Sequence, residues 1–231
     1  MSNYLILLSG GSGTRMKSDI PKQYLTVKNK TILEYTIDCF DFDKFKNIVL
    51  VISDTWKSEF VSRNQNSFWY SKILFAAAGN SRQESILNGM ERIKDFACED
   101  DFVVIHDAAR PCLSKTLVEN LLEMNKTCDG VMPVLPVKDT IYMSENGKKI
   151  SSLLNRDQLF SGQSPESFKF KKYYEINTNL SKIELEQIRG SSEIAFRNNL
   201  TIKMIDGDEG NFKITTPIDL ERFKEIIERR I

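Results

Sequence analysis

The amino-acid sequence predicts an α/β fold built on a mostly parallel sheet, with helices on both of its faces. Short apolar runs of strand length alternate with stretches in which apolar residues recur at helical spacing. Such alternation is typical of a parallel sheet that is covered on both sides. The first run ends at a glycine-rich turn, and ligands of such folds bind at the carboxyl ends of the strands.

The strands are predicted from continuous apolar runs. The first of them reads Tyr-Leu-Ile-Leu-Leu and begins at Tyr4. Runs of this kind, without polar alternation, indicate strands that are buried on both faces. The predicted strands are residues 4–8, 47–52, 72–76, 101–106, 130–134 and 200–205.

The helices are predicted from apolar residues at spacings of three and four. In the first of them Ile32, Leu33 and Ile37 share one face. The start of the last helix is predicted from Thr216, a capping residue, and from Pro217 at the first helical position. The predicted helices are residues 31–40, 81–96, 117–124, 166–177, 183–197 and 217–230.

Residues 137–160, which we call the β-arm, break the alternation. Asn146-Gly147 lies between two strand-like segments, and this dipeptide is a strong hairpin signal. A hairpin that leaves an α/β sheet either embraces a partner subunit or packs on its own domain, and the pattern leaves both open. We expect one domain, residues 1–231, that includes the β-arm.

Composition limits the classes of partner. Lys plus Arg and Asp plus Glu number 32 each, so the net charge is zero. A neutral chain has no global field that attracts nucleic acid or an anionic membrane, and we expect neither partner. No apolar run approaches the roughly 18 residues of a membrane span, and the N-terminus has no signal-peptide pattern, so a cytoplasmic location is expected. The cysteines and the single histidine show no metal-ligand spacing, which disfavours structural zinc.

The glycine-rich turn after the first strand predicts a phosphate site. Its glycines let the backbone approach a bulky anion, and its main-chain N–H groups can form an anion-binding concavity. Arg15 and Lys22 add positive charge, so a triphosphate is the expected ligand, although an ordinary strand-to-helix turn is the alternative. The turn is neither a dinucleotide fingerprint, because Met16 replaces the third glycine, nor a Walker A loop.

Other polar residues follow later strands. Asp107, at the end of the fourth strand, is a candidate Mg²⁺ ligand, because that ion prefers one or two carboxylates with phosphate oxygens; capping of the next turn is the alternative. Arg110 either contacts a phosphate or pairs with Asp107. His106 is interpreted as structural and half buried.

Three further segments offer polar groups near strand or helix ends. Residues 79–85 either read a nucleobase edge or merely cap a helix. Lys213 precedes the last helix, whose N-terminus favours an anion. Arg156 lies at the exit of the β-arm. A lone cation is usually a solvated surface charge, and this is the alternative for both Lys213 and Arg156.

Motifs along nearly the whole chain together resemble a known family. They are residues 10–16, 21–25, 106–111, 139–140, 163–165 and 213–215. In this order they are similar to the CTP-dependent polyol-phosphate cytidylyltransferases, which have a Rossmann-like fold. That group includes 2-C-methyl-D-erythritol 4-phosphate enzymes of isoprenoid synthesis and ribitol 5-phosphate enzymes of teichoic-acid and capsule synthesis.

The resemblance implies a reaction and a set of site residues. A polyol phosphate attacks the α-phosphorus of CTP, pyrophosphate leaves, and no covalent enzyme intermediate forms. The implied catalytic residues are Arg15, Lys22 and Lys213. The implied nucleotide-binding residues are Gly10, Gly11, Ser12, Gly13, Thr14, Gly79, Asn80, Ser85 and Asp107. The implied substrate-binding residues are Asp107, Arg110, Asp139, Arg156, Ser164, Ser191 and Lys213, with Asp107 also holding Mg²⁺. The resemblance further implies a homodimer in which the β-arm carries Arg156 to the neighbouring subunit's polyol phosphate.

The identity of the acceptor is the least determined part of this interpretation. Residues 162–168 and the Gly10-Gly11 pair resemble ribitol-phosphate enzymes, whereas Ala108-Ala109 favours the erythritol enzymes. We expect ribitol 5-phosphate ahead of methylerythritol phosphate. Ser192 stands where the family usually has aspartate, near the acceptor, which leaves a third polyol phosphate open. A sugar-1-phosphate nucleotidyltransferase using UTP or dTTP, or a non-catalytic nucleotide-binding module, are the rival functions.

Overall fold

A computed structural model of the chain describes residues 1–16 and 18–229. The strands are β1 Asn3–Leu8, β2 Thr26–Val27, β3 Lys30–Thr31, β4 Asn47–Ile52, β5 Ile73–Ala77, β6 Phe102–Asp107, β7 Gly130–Pro136, β8 Tyr142–Met143, β9 Ser152–Leu153, β10 Phe160–Gly162, β11 Glu166–Lys169 and β12 Ile202–Asp206. The α-helices are α1 Ile32–Ile37, α2 Asp54–Asn64, α3 Arg82–Glu91, α4 Lys115–Met124, α5 Phe170–Thr178, α6 Lys182–Gln187, α7 Ser191–Arg197 and α8 Pro217–Arg229. In the part of the chain so described, no helix has the length and apolar character needed to cross a membrane.

The main sheet is mostly parallel, as the sequence predicts. Its strand order is β10-β7-β11-β6-β1-β4-β5, and β12 also pairs with β7. β1 lies parallel to β4 and β6, β5 is parallel to β4, and β12 is parallel to β7. β10 and β11 run antiparallel to their neighbours. Because β1 and β6 are adjacent and parallel, the glycine-rich turn and Asp107 emerge at the same edge of the sheet.

Helices cover both faces, and the alternation of side chains along β1 shows why. Leu5 and Leu7 pack into a core cluster with side chains from α1, α2 and α4. Tyr4 and Ile6 point to the other face and pack with α3, α5 and α7. All four side chains have no solvent exposure, so β1 is buried on both faces as its unbroken apolar run predicts.

Two helix predictions each cover more than one element, and the helix predicted over residues 81–96 ends at Glu91. Residues 166–177 are predicted as one helix, yet their first part forms β11, which is inserted antiparallel between β6 and β7. Phe168 on that strand stacks on Tyr173 of α5 with ring centroids 4.1 Å apart, so the apolar spacing that suggests a helix spans a strand and a helix. Residues 183–197 form two helices, because the chain is extended at Ile188 and Gly190 caps α7.

The predicted β-hairpin is present. β8 and β9 pair antiparallel, with Tyr142 opposite Leu153, and form a two-stranded sheet of their own. Asn146 shapes the turn, since its side-chain oxygen accepts the N–H groups of Lys148 at 2.9 Å and Lys149 at 3.3 Å. Gly147 has a φ of +71°, the left-handed conformation that glycine adopts without strain.

Candidate active site

The carboxyl ends of β1 and β6, with the loop after β5 and the segment before α8, surround a cavity of about 490 Å³. The structure brings together most of the sequence-predicted site residues on its wall. Those that line it are Gly10, Gly11, Ser12, Gly13, Arg15, Lys22, Gly79, Asn80, Ser85, Asp107 and Lys213. The side chain of Thr14 lies outside the described part of the chain.

The glycine-rich turn is held from behind by Gln23, a residue to which the sequence patterns assign no role. Its buried side-chain amide donates to the carbonyl oxygens of Ser9 at 2.6 Å and Gly11 at 2.7 Å. The hydroxyl of Tyr24 donates to the same Ser9 carbonyl at 2.9 Å. These bonds fix the carbonyls on both sides of Gly10 and therefore the course of the turn.

The turn also needs its glycines for space and conformation. A side chain at Gly10 would place its Cβ 2.4 Å from that of Ala78. Gly13 has a φ of +67°, and a Cβ there would lie 3.1 Å from the main-chain nitrogen of Lys22. The backbone can therefore pass close to Lys22 only where no side chain intervenes.

Cationic side chains lie around this turn. Arg15 is exposed, Lys22 is partly buried, and Lys213 faces them from the segment before α8. Burial, together with the nearby charges of Lys213 and Arg15, lowers the pKa of Lys22 to about 8. A group of like charges held together in this way is suited to an anion.

Asp107 is buried at the end of β6 and places its carboxylate on the cavity wall. One of its oxygens lies 2.8 Å from Nζ of Lys213 and 3.7 Å from Nε of Arg110, and the other lies 3.4 Å from Nε of Arg82. Burial alone would raise the pKa of Asp107, but Arg82, Lys213 and Arg110 hold it well below its usual range. Asp107 is therefore a carboxylate at neutral pH.

Arg110 and Ser164 are predicted to bind substrate, but the structure places them behind the cavity wall. Arg110 donates to the main-chain oxygen of Asn211 at 2.6 Å in addition to pairing with Asp107. The Ser164 hydroxyl accepts the N–H of Asp107 at 3.2 Å and lies 3.2 Å from Nδ1 of His106. In this structure both residues support the position of Asp107.

His106 is fully buried, so the expectation of half burial is wrong. The reason is that β6 is flanked on both sides, by β1 and β11. Burial lowers the pKa of His106 to about 3, which keeps the imidazole neutral. Its ring nitrogens lie 3.3 Å from the Arg110 carbonyl and 3.2 Å from the Ser164 hydroxyl, so it links two residues that support Asp107.

The segment after β5 both caps α3 and lines the cavity. Ser81 is the N-cap and accepts the N–H of Glu84 at 3.1 Å. Ser85 accepts the N–H of Gly79 at 3.0 Å, and Glu84 accepts the N–H of Asn80 at 2.6 Å. The main chain at residues 79–80 is thereby pinned against the first turn of the helix.

Arg82 and Glu166 are site residues that the sequence analysis does not single out, although Arg82 lies within the segment 79–85. Arg82 lines the cavity beside Asp107, and Ser191, predicted to bind substrate, contacts it from behind the wall. Glu166 lies further back and accepts the Ser191 hydroxyl at 2.9 Å. Arg82 could have been found from its place in the first turn of a helix at the strand ends, whereas no local pattern marks Glu166.

Asp139 and Arg156 are not on this cavity; both belong to the β-arm. Asp139 is exposed. Arg156 donates to the Lys138 carbonyl at 2.9 Å and lines a second cavity of about 460 Å³, with Thr140, Leu153 and Asn155 among its other residues. Within one chain, therefore, the predicted residues separate into two sites.

Comparisons with known proteins agree on one family. The family model for 2-C-methyl-D-erythritol 4-phosphate cytidylyltransferase matches residues 4–229. The protein of that description from Thermosipho melanesiensis is 30% identical over 218 residues, which are 94% of each chain.

Solved structures give the same result for the fold. A 4-diphosphocytidyl-2C-methyl-D-erythritol synthase is similar with a TM-score of 0.81 and 24% identity, over 98% of this chain and 100% of that one. The 2-C-methyl-D-erythritol 4-phosphate cytidylyltransferase of Francisella tularensis has a TM-score of 0.80 and 25% identity, over 97% and 99% of the two chains.

These findings confirm the resemblance drawn from the motifs and correct its choice within the group. The preference for ribitol 5-phosphate is not supported, because the matches name the methylerythritol enzymes, which the sequence interpretation holds as the alternative. Small local features, such as the double glycine at residues 10–11, are a weaker guide than similarity along the whole chain. The chain belongs to the 2-C-methyl-D-erythritol 4-phosphate cytidylyltransferase family and is a CTP-dependent cytidylyltransferase.

Proposed function

We propose that this enzyme couples CTP to 2-C-methyl-D-erythritol 4-phosphate. An oxygen of the acceptor phosphate forms a bond to the α-phosphorus of CTP, and the bond from that phosphorus to the β-bridging oxygen breaks. Pyrophosphate leaves with the electron pair. The observation that carries the proposal is that a glycine-rich turn, Lys22 and the ionised Asp107–Lys213 pair lie together in one cavity.

The residues on the cavity wall divide into three groups of contacts. The glycine-rich turn, Arg15 and Lys22 hold the triphosphate, while Gly79, Asn80 and Ser85 read the nucleobase. Lys213, beside Asp107, receives the acceptor phosphate. Catalysis then consists of holding two anions in line and of offsetting the negative charge that grows on the reacting phosphate oxygens. No side chain needs to form a covalent bond.

Asp107 fits a magnesium ion that is shared with the substrate. In the described residues there is no cluster of three His, Cys, Asp or Glu side chains that could hold a metal alone. One ionised carboxylate at a phosphate-binding cavity suits Mg²⁺, which takes one or two carboxylates with phosphate oxygens and water. Bound there, the ion would neutralise phosphate charge. Lys213 and Arg82 keep Asp107 ionised and ready for this role.

We also propose that the β-arm packs against a second copy of the chain. Tyr142, Met143, Ile150 and Leu153 are between 51% and 67% exposed on it. An isolated two-stranded hairpin is marginally stable in water, and clustered exposed apolar side chains mark an interaction surface. Docking of the arm on the partner would bring Arg156 to the acceptor phosphate and complete the site.

The unit that we propose to act is the single domain, residues 1–231, including the β-arm. It is proposed to bind CTP, the polyol phosphate and magnesium, and to associate with a second copy of itself. CTP is a cytoplasmic metabolite, so the proposed location is the cytoplasm.

The acceptor is tested by pyrophosphate release with CTP and Mg²⁺. Methylerythritol 4-phosphate should exceed ribitol 5-phosphate and glycerol 3-phosphate in kcat/KM by about tenfold or more, as a site that hydrogen-bonds a particular hydroxyl pattern discriminates against analogues. CTP should outcompete UTP and dTTP for binding. Equal or faster turnover of ribitol 5-phosphate would overturn the proposed acceptor.

Gln23→Glu tests the support of the glycine-rich turn. The variant places carboxylate oxygens against two carbonyl oxygens that now accept hydrogen bonds, so the affinity for CTP should fall by about tenfold or more, equivalent to roughly 1.4 kcal/mol. Isothermal titration calorimetry measures the change. Gln65→Glu, an exposed site with the same change, should bind CTP as the wild type does. Unchanged affinity in Gln23→Glu would contradict the role of Gln23.

The pH dependence of CTP binding tests Lys22. The bound triphosphate favours protonated Lys22, so the pKa of this lysine is higher in the complex than its value of about 8 in the free protein. Lys22 contributes fully to the affinity for CTP below about pH 8, and this contribution declines as the pH rises above that value. Lys22→Arg should remove the decline between about pH 7 and 9, since arginine stays charged. The same decline in both proteins would show that another group titrates.

Subunit mixing tests the β-arm. Arg156→Ala and Lys22→Ala should each be nearly inactive, because each lacks a residue that contacts phosphate. In a mixed dimer, however, one site combines an intact Lys22 with an intact Arg156 from the other subunit. Mixing should therefore restore activity that neither variant has alone. An active monomer at high dilution, or no recovery in verified mixed dimers, would contradict a shared site.

A further inference from the structure

Arg82 on the cavity wall, with Ser191 and Glu166 behind it, forms a cluster whose mutual contacts the proposed chemistry does not use. Arg82 comes from α3, Ser191 opens α7, and Glu166 begins β11. The Arg82 guanidinium contacts the Ser191 hydroxyl, and its Nη2 lies 3.5 Å from Oε1 of Glu166. The Ser191 hydroxyl donates to that same oxygen at 2.9 Å. Three separate elements therefore converge on one guanidinium.

Glu166 is a buried carboxylate whose partners are the Arg82 guanidinium and the Ser191 hydroxyl. The residue is 7% exposed, and among the described residues its Oε2 has no hydrogen-bond partner. Burial raises the pKa of Glu166, while the Arg82 charge and the Ser191 hydroxyl lower it. A buried carboxylate that is only partly paired adds little to the stability of a fold. Its role is then to hold the group that it contacts, the Arg82 guanidinium.

That group is on the cavity wall. Arg82 is 30% exposed at its side chain, so it is accessible from the cavity that holds Lys22 and Lys213. Its Nε lies 3.4 Å from Asp107, while its Nη2 faces Glu166. A planar guanidinium has five donors in a fixed geometry, and two carboxylates on different sides therefore determine its orientation.

We propose that Glu166 is a positioning residue whose carboxylate, with the Ser191 hydroxyl, holds the Arg82 guanidinium between itself and Asp107, oriented toward the cavity in which the phosphates react. Without Glu166, Arg82 pairs with Asp107 alone. Its guanidinium then rotates about that single contact and is less available to the phosphates. The expected effect is on turnover more than on nucleotide binding. This inference rests on the proposed function for its kinetic consequence, but the position of Arg82 can be measured without any reaction.

The first test is the mobility of the Arg82 guanidinium, followed by ¹⁵N NMR of arginine side chains in the intact protein. The Arg82 signals are assigned by their loss in Arg82→Lys. Wild-type Arg82 should show restricted rotation about its guanidinium bonds, and Glu166→Gln should release it. Ser191→Ala supplies a second variant in case the first does not fold. Glu186→Gln, an exposed carboxylate on α6, is the matched control and should leave the signals unchanged. Unchanged Arg82 signals in a folded Glu166→Gln or Ser191→Ala protein would overturn the proposal.

The second test is a double-mutant cycle on turnover. Glu166→Gln should lower kcat by about tenfold or more with the Kd for CTP changed by less than about threefold. In an Arg82→Ala background the same change should cost less than about twofold, because the residue that it positions is gone. An undiminished loss in that background would contradict positioning through Arg82. If the wild type binds CTP but turns over none of the acceptors, the proposed function fails, and the NMR result still decides the role of Glu166.

Discussion

The buried carboxylate of Asp107 is the interaction on which the site depends. A buried charge is unfavourable unless it is paired and hydrogen-bonded, so the fold must bring cations to it. Arg82 comes from α3, Lys213 from the segment before α8, and Arg110 from the turn after β6. These elements are far apart in sequence, and their meeting at one carboxylate fixes how the ends of the strands are arranged.

The same carboxylate offsets the repulsion among cations that await an anionic substrate. Burial lowers the pKa of Lys22 to about 8, and the repulsion from Lys213 and Arg15 acts in the same direction. Asp107 acts in the opposite direction on the pKa of Lys22. The free protein can therefore hold several cationic side chains close together before any substrate binds. A bound triphosphate then supplies the negative charge that the cluster lacks. The site therefore favours an anionic ligand over a neutral one.

Sequence patterns predict the parts of the site that are local. The glycine-rich turn follows an apolar run, Asp107 follows another, and parallel strands bring both to one edge, so the order of the residues alone predicts that they lie close together. Asn146-Gly147 similarly marks the β-arm. Residues 162–168 are a harder case, because β11 exists only through its pairing with β6 and β7. Pairing between strands that are distant along the chain leaves no periodic pattern in the sequence of β11. Sequence patterns therefore do not reveal the role of Glu166.

Residues that act on other residues are also hard to predict. Gln23 holds main-chain carbonyls and Ser164 holds the Asp107 amide, and neither contact follows from residue type or spacing. Local features near residues 10–11 and 162–168 favour ribitol phosphate as acceptor, whereas similarity over residues 4–229 favours methylerythritol phosphate. Acceptor choice depends on a few contacts within a shared scaffold, and such contacts change without altering the fold.

The most direct test of this account is a crystal structure of the enzyme with CTP and Mg²⁺. The triphosphate should lie along the glycine-rich turn between Arg15 and Lys22, with the α-phosphate facing Asp107 and the metal bound to the Asp107 carboxylate. Nucleotide density in the β-arm cavity, or phosphates that lie away from Asp107, would contradict the claim that this carboxylate and its cations form the reaction centre.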